Sequence, residues 1–146
     1  MTSHGPRGAV LTGVGLALTL DEVVFHQLLG WHHLVSSPDE AVGLASDGVL
    51  HVLGSAALVV GVFLLVRHWR GDRRGTSAGV LVGLGGFNVF DGVVDHKLLR
   101  LHQVREGVPD LLPYDVTWLA VSLAVLAAGL LLRRRRGATG PDPQVV

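Results

Sequence analysis

Four apolar runs divide the chain: Gly8 to about Leu29, Val49 to Val66, Ala78 to about Val94, and Pro113 to Leu132. Each approaches the roughly 20 residues that a helix needs to cross a hydrocarbon core about 30 Å thick. None carries the continuous polar stripe of a helix packed on a soluble core. The pattern predicts an all-α fold of four transmembrane helices. A basic start at Arg7 gives the first run some likeness to a secretory signal. No small-x-small cleavage site follows it, and it takes part in an internal repeat, so it is read as the first span.

The repeat lies in the polar positions. Leu11-x-Gly13-x-Gly15 is followed by Asp21, Val23, Val24, His26, Leu28, Leu29 and His32; Leu81-x-Gly83-x-Gly85 is followed by Asp91, Val93, Val94, His96, Leu98, Leu99 and His102, an offset of 70. A bilayer resists ionisable groups, so hydrophobic bias cannot produce this match. The even-numbered spans repeat at an offset of 68: Asp47 with Asp115, Ala56 with Ala124, Leu58 with Leu126, Gly61 with Gly129, and Arg67 with Arg135. The unit is therefore a helical hairpin used twice. Two parallel hairpins imply a four-helix bundle with a pseudo-twofold axis along the membrane normal. Residues 1–136 form one four-span domain, with repeat one at about 8–68 and repeat two at about 78–136; residues 137–146 read as a disordered tail. Small residues within the spans (Gly13, Gly15, Gly54, Ser55, Gly61, Gly83, Gly85, Gly86, Gly129) are read as helix-packing positions and not as a phosphate loop.

Composition narrows the chemistry. There is no cysteine and a single methionine, the initiator. Disulfides, iron–sulfur clusters, thiolate zinc and a methionine-lined copper(I) route are excluded. Net charge is zero, but Arg67, Arg70, Arg73 and Arg74 follow the second span and Arg133 to Arg136 follow the fourth. The positive-inside rule then places both termini in the cytoplasm. Lys97, Arg100 and Arg105 run against that count and are read as a helix end lying at the membrane surface. The expected surroundings are the lipid bilayer, with a homo-oligomer or a membrane partner open and no nucleic acid.

At about 1.5 Å per residue, Asp21 and Asp91 lie about 20 Å from the cytoplasmic ends of their spans, His51 about 24 Å, and His26, His96 and Asp115 about 27 Å. One layer in the outer leaflet thus collects ionisable groups from all four helices. On an α-helix Glu22 and His26, Asp47 and His51, and Asp91 and Asp95 pair at i, i+4. Asp21 and His26 stand about 140° apart and are expected not to share an ion, and His32 sits about 16 Å above Asp21. Two levels follow: an inner one of Asp21, Glu22, His26, His51, Asp91, Asp95 and His96, and an outer vestibule of His32, His33 and His102. Asp47 and Asp115 read as N-caps and Asn88 as interhelical glue or support for the site.

Imidazole and carboxylate ligands suit zinc, iron, manganese or copper(II), so the inner level is a candidate metal site. Glu22 and Asp95 are the candidate general bases of a redox or hydrolytic centre. Two alternatives stay open: a b-type haem held by His26 and His96, and a proton or divalent-cation path along the histidines. No ionisable residue continues below Asp21 and Asp91, which favours a dead-end cavity over a channel. The repeats differ at Glu22 against Gly92, Phe25 against Asp95, and His51 against Leu119, so one specialised centre on a duplicated scaffold is expected.

Two stretches carry a family resemblance: Asp91-Gly92-Val93-Val94-Asp95-His96-Lys97-Leu98-Leu99-Arg100-Leu101-His102-Gln103-Val104-Arg105, after Gly85-Gly86-Phe87-Asn88, and His26-Gln27-Leu28-Leu29-Gly30-Trp31-His32-His33. They resemble the signature of the DUF2243 family over about residues 8 to 133. The resemblance implies a multi-pass protein of the bacterial inner membrane and assigns no activity. It leaves open an accessory role beside respiratory or oxidase-assembly partners. The stretch Ser36-Ser37-Pro38-Asp39-Glu40 is given no role.

Overall fold

The computed structural model describes residues 4–69 and 71–138. Its elements are α1 (His4–Asp21), π1 (Glu22–Leu28), α2 (Glu40–Arg67), α3 (Arg73–Phe90), π2 (Asp91–Leu98) and α4 (Leu112–Ala138). With their π continuations they give four helices long and apolar enough to cross a membrane. Among the described residues there is no strand. Helix α4 includes residues 137 and 138, the start of the expected tail; residues 139–146 of that tail lie outside the described residues.

Helices α1 and α3 form the central pair, α2 packs on α1 and α4 packs on α3. Absent side chains make the central contact. A Cβ on Gly13 would collide with the Val80 carbonyl, and one on Gly83 with the Val10 carbonyl. Without a hydrophobic force between helices in lipid, such backbone approach is what holds a membrane bundle together. The flanking contacts use the same device: Gly15 seats Leu58 of α2, and Gly85 seats Leu126 of α4. Outward apolar side chains of α2 and α4, such as Val59, Phe63, Val121 and Leu131, stay exposed in the isolated chain and face acyl chains in a bilayer.

Helix α2 starts well before its apolar run because Asp39 caps it, its carboxylate accepting the Ala41 N–H at 3.0 Å. The Asp110 carboxylate likewise accepts the Leu112 N–H at the start of α4, also at 3.0 Å. This corrects two expectations: Asp47 and Asp115 lie inside their helices and cap neither.

The histidine-bearing ends of α1 and α3 widen into π turns. The Leu29 N–H reaches Val24 O at 2.9 Å and the Leu99 N–H reaches Val94 O at 2.7 Å, both i→i+5. Each turn then stops at a residue of positive φ, Gly30 (56°) and Arg100 (54°). Beyond it the chain folds back over the bundle and latches onto the other half. Glu106 N–H donates to Trp31 O at 2.9 Å, and Ser36 N–H donates to Leu101 O at 2.8 Å. The Ser36 hydroxyl and Glu106 carboxylate bond across the same junction.

Candidate metal centre

A turn closed by i→i+5 bonds holds about 4.4 residues, so five positions along it end only about 50° from their start. This overturns the separation of Asp21 from His26: His26 Nε2 lies 3.3 Å from Asp21 Oδ2. In the other half His96 Nε2 lies 3.2 Å from Asp91 Oδ2.

The fold-back removes the second expected separation. His32 and His102 are not vestibule residues above the site; they are 4% and 2% exposed and return to its centre. Their rings stack at 4.6 Å. His32 meets His26 at 4.4 Å and His96 at 6.3 Å between centroids. His102 meets His96 at 4.5 Å and His26 at 6.2 Å. The two levels are one buried cluster of imidazoles.

Hydrogen bonds fix which nitrogen each ring presents. His32 Nδ1–H donates to Val104 O at 2.9 Å, and His102 Nδ1–H donates to Leu34 O at 3.0 Å. A carbonyl only accepts, so the proton is on Nδ1 and Nε2 keeps its lone pair. His26 Nδ1 bonds Asp47 Oδ1 at 2.8 Å, which turns its Nε2 inward in the same way. Burial is the largest influence on His32 and brings its pKa down to about 4, with neighbouring His102 adding to the depression. Burial also lowers His102. Both rings are therefore neutral near pH 7, as a metal ligand must be.

Ligand atoms converge within 4.8 Å of one another in three groups: Asp21, His26 and His32; Asp91, His96 and His102; and Glu22, His26 and Asp47. Buried polar atoms without a hydrogen-bond partner gather here, among them Asp21 Oδ1, Glu22 Oε2, His26 Nε2, His32 Nε2 and Asp91 Oδ2. A buried unpartnered donor or acceptor costs about 1–3 kcal/mol, so a concentration of them points to something bound between. His96 Nε2 and His102 Nε2 stand 2.9 Å apart, near what two nitrogens on one ion require.

The remaining expected residues sort by position. Glu22 is fully buried, with Oε1 accepting the Gln27 amide at 2.6 Å and Oε2 3.4 Å from His26 Nδ1. Asp95 is half-buried beside Asp91. Asp47 is a buried hub and not a cap: it takes His26 Nδ1 and the Leu34 N–H (2.8 Å) on Oδ1 and His33 Nδ1 (2.6 Å) on Oδ2. His33 alone among the three vestibule candidates stays partly exposed, at 34% of its side chain. His51 is exposed on α2; it lines a groove with His33 and Asp47 and joins no converging group. Asp115 pairs with Lys97. Asn88 accepts Trp118 Nε1 at 3.1 Å through its backbone carbonyl, and its side chain lines the cavity between α1, α3 and α4. Among residues given no role in the sequence, Val104 and Leu34 supply the orienting carbonyls, which no side-chain pattern can announce.

The fold and the cluster together define a multi-pass α-helical membrane protein with histidine and carboxylate groups able to hold metal. The chain belongs to the family described as predicted membrane protein (DUF2243), whose model matches residues 8–136. No curated protein and no solved structure matches it.

Proposed function

We propose that this chain is a membrane metalloprotein in which the Asp21–His26–His32 and Asp91–His96–His102 triads each hold a divalent transition metal ion, side by side at the end of the central helix pair. The observation that carries this reading is the set of orienting bonds. Asp47, Val104 O and Leu34 O hold the Nδ1 side of three imidazoles, so their Nε2 atoms point into the cluster. Metal-bound histidines almost always donate their other N–H to such a carboxylate or carbonyl. Two imidazoles and one carboxylate suit iron(II), zinc, manganese or copper(II), and leave coordination positions for a substrate or water. Redox or hydrolytic chemistry, with Glu22 or Asp95 as base, belongs to this reading.

The reciprocal bonds between halves support a duplicated, pseudo-twofold scaffold: Trp31 answers Leu101, Ser36 answers Glu106, and Leu34 answers Val104 at the repeat offset. The arginine-rich ends of the spans would face the cytoplasm of a bacterial inner membrane, with the histidine cluster on the opposite side. The haem alternative is disfavoured, because His32 and His102 each pack on both His26 and His96 and occupy the space a porphyrin plane would need.

Elemental analysis of detergent-purified protein tests the proposal. Wild type is expected to retain transition metal, and a variant with His26, His32, His96 and His102 all changed to alanine is expected to retain none. Equal metal in the two proteins would remove the proposal.

A further inference from the structure

A half-open cavity of about 630 Å³ lies between α1, α3 and α4. Its size is that of a site for a small organic molecule. Leu20, Leu84, Val104 and Val121 give it apolar walls, and Phe25, Trp31, Tyr114 and Trp118 give it an aromatic end. Its rim residues Leu20 and Val121 are exposed on the membrane-spanning faces, so it opens sideways toward lipid. Polar groups are few: Asp21, Asn88, Thr117 and Ser122.

The aromatic end is braced. Phe25 packs on Trp31 and on Trp118, each at 5.3 Å between centroids, and Trp31 meets Tyr114 edge-on at 5.7 Å. Arg105 lies over Trp31 at 5.1 Å and over Tyr114 at 5.3 Å, and donates to the Tyr114 hydroxyl at 2.8 Å. That hydroxyl, already accepting, keeps its own proton for another partner.

The scaffold does not require this cavity. At the corresponding repeat positions Ala17 becomes Phe87, Phe25 becomes Asp95, Trp31 becomes Leu101, Asn88 becomes Leu18, Tyr114 becomes Ser46 and Trp118 becomes Leu50. The four aromatic residues of the lining are therefore not repeated in the other half. Asp21 is a wall of the cavity and also a member of the first histidine triad.

We infer that the cavity binds a lipid-soluble molecule with a flat, oxygen-bearing head and an apolar tail, of the quinone or quinol class, admitted from the bilayer. Aromatic edges and faces suit a planar head. The Tyr114 hydroxyl and Asn88 amide are available to its carbonyl oxygens, and the Asp21 carboxylate to a hydroxyl. The tail leaves along Leu20 and Val121 into lipid.

Trp31 and Trp118 line the cavity, whereas Trp69 stands at the arginine-rich end of the bundle, so tryptophan emission reports occupancy. Decylubiquinone titrated into the purified protein in nanodiscs is expected to quench emission saturably. Ala17→Phe, which installs the residue of the other half, is expected to weaken binding about ten-fold or more while metal content stays unchanged. Thr117→Phe, on an exposed position of α4, fills the same space and serves if Ala17→Phe does not fold. Decanol is expected not to displace the quinone. Quenching that rises without saturation, equal binding by both variants, or displacement by decanol would overturn the assignment, the last by reducing the cavity to an acyl-chain crevice. Loss of metal with quinone binding intact would instead count against the metal proposal alone.

Discussion

The two halves of the molecule share an Asp-x4-His-x5-His pattern but not what supports it. In both, a π turn brings the aspartate to the first histidine, and a positive-φ residue returns the second histidine to the cluster. In both, the second histidine is oriented by a carbonyl of the opposite half. The support behind the first histidine diverges. His26 leans on Asp47, which also holds His33 and the Leu34 N–H. The corresponding Asp115 is drawn away by Lys97, which stands where the first half has Gln27. His96 Nδ1 and Asp115 Oδ1 are left buried without hydrogen-bond partners, both residues lining a small cavity of about 140 Å³. Buried Glu22 adds a carboxylate to the first half, where the second has Gly92 packed against Trp118. The Asp–His–His triad thus recurs in both halves, while Asp47 holds His26 on its Nδ1 side and no corresponding bond holds His96.

The largest expected effect comes from separating the halves. Gly83→Val places a branched side chain against the α1 backbone and is expected to cost about 3 kcal/mol or more, with metal lost from both sites together. Metal content and thermal unfolding of the variant check this; loss from one site only would show that the halves bind independently. Next in size, Asp47→Asn is expected to lower first-site affinity about 10–100-fold by removing the charge that orients His26, whereas Asp115→Asn changes little. Competitive titration against a chelator distinguishes the two, and equal losses would erase the contrast between the halves. A smaller gain is expected from Lys97→Gln, which frees Asp115 to accept His96 Nδ1–H. Second-site affinity should then rise by several-fold, again read against a chelator. Smallest is Arg100→Gly, which relieves a left-handed backbone and is expected to stabilise by about 0.5 kcal/mol in thermal unfolding, while Gly30→Ala destabilises by about 1 kcal/mol.

Much of this was legible in the sequence because charge is so out of place in an apolar run. Asp21, His26, Asp91 and His96 declared themselves on that ground, and Gly13 and Gly83 marked the helix contact by being small. The geometry between these residues was not legible. An α-helical wheel separates Asp21 from His26; a wider turn joins them, and no local signal distinguishes Val23-Val24-Phe25 in a π turn from the same residues in an α turn. Gly30 hints that the chain turns back, but Arg100 does the same work without a glycine's signature. Asp47 looked like a cap because its apolar run starts two residues later, whereas Asp39 caps a helix that begins much earlier. His32 and His102 looked peripheral because counting along an axis assumes the axis continues. In the structure it ends at Leu28 and Leu98.

Cobalt(II) titration of metal-stripped protein, followed through its visible d–d bands, tests the pairing of triads most directly. Saturation is expected at two equivalents per chain in wild type, and at one in either His26→Ala/His32→Ala or His96→Ala/His102→Ala. Saturation at one equivalent in wild type, abolished by either pair of substitutions, would contradict two sites and leave a single shared centre; no band at all would contradict the metal centre itself.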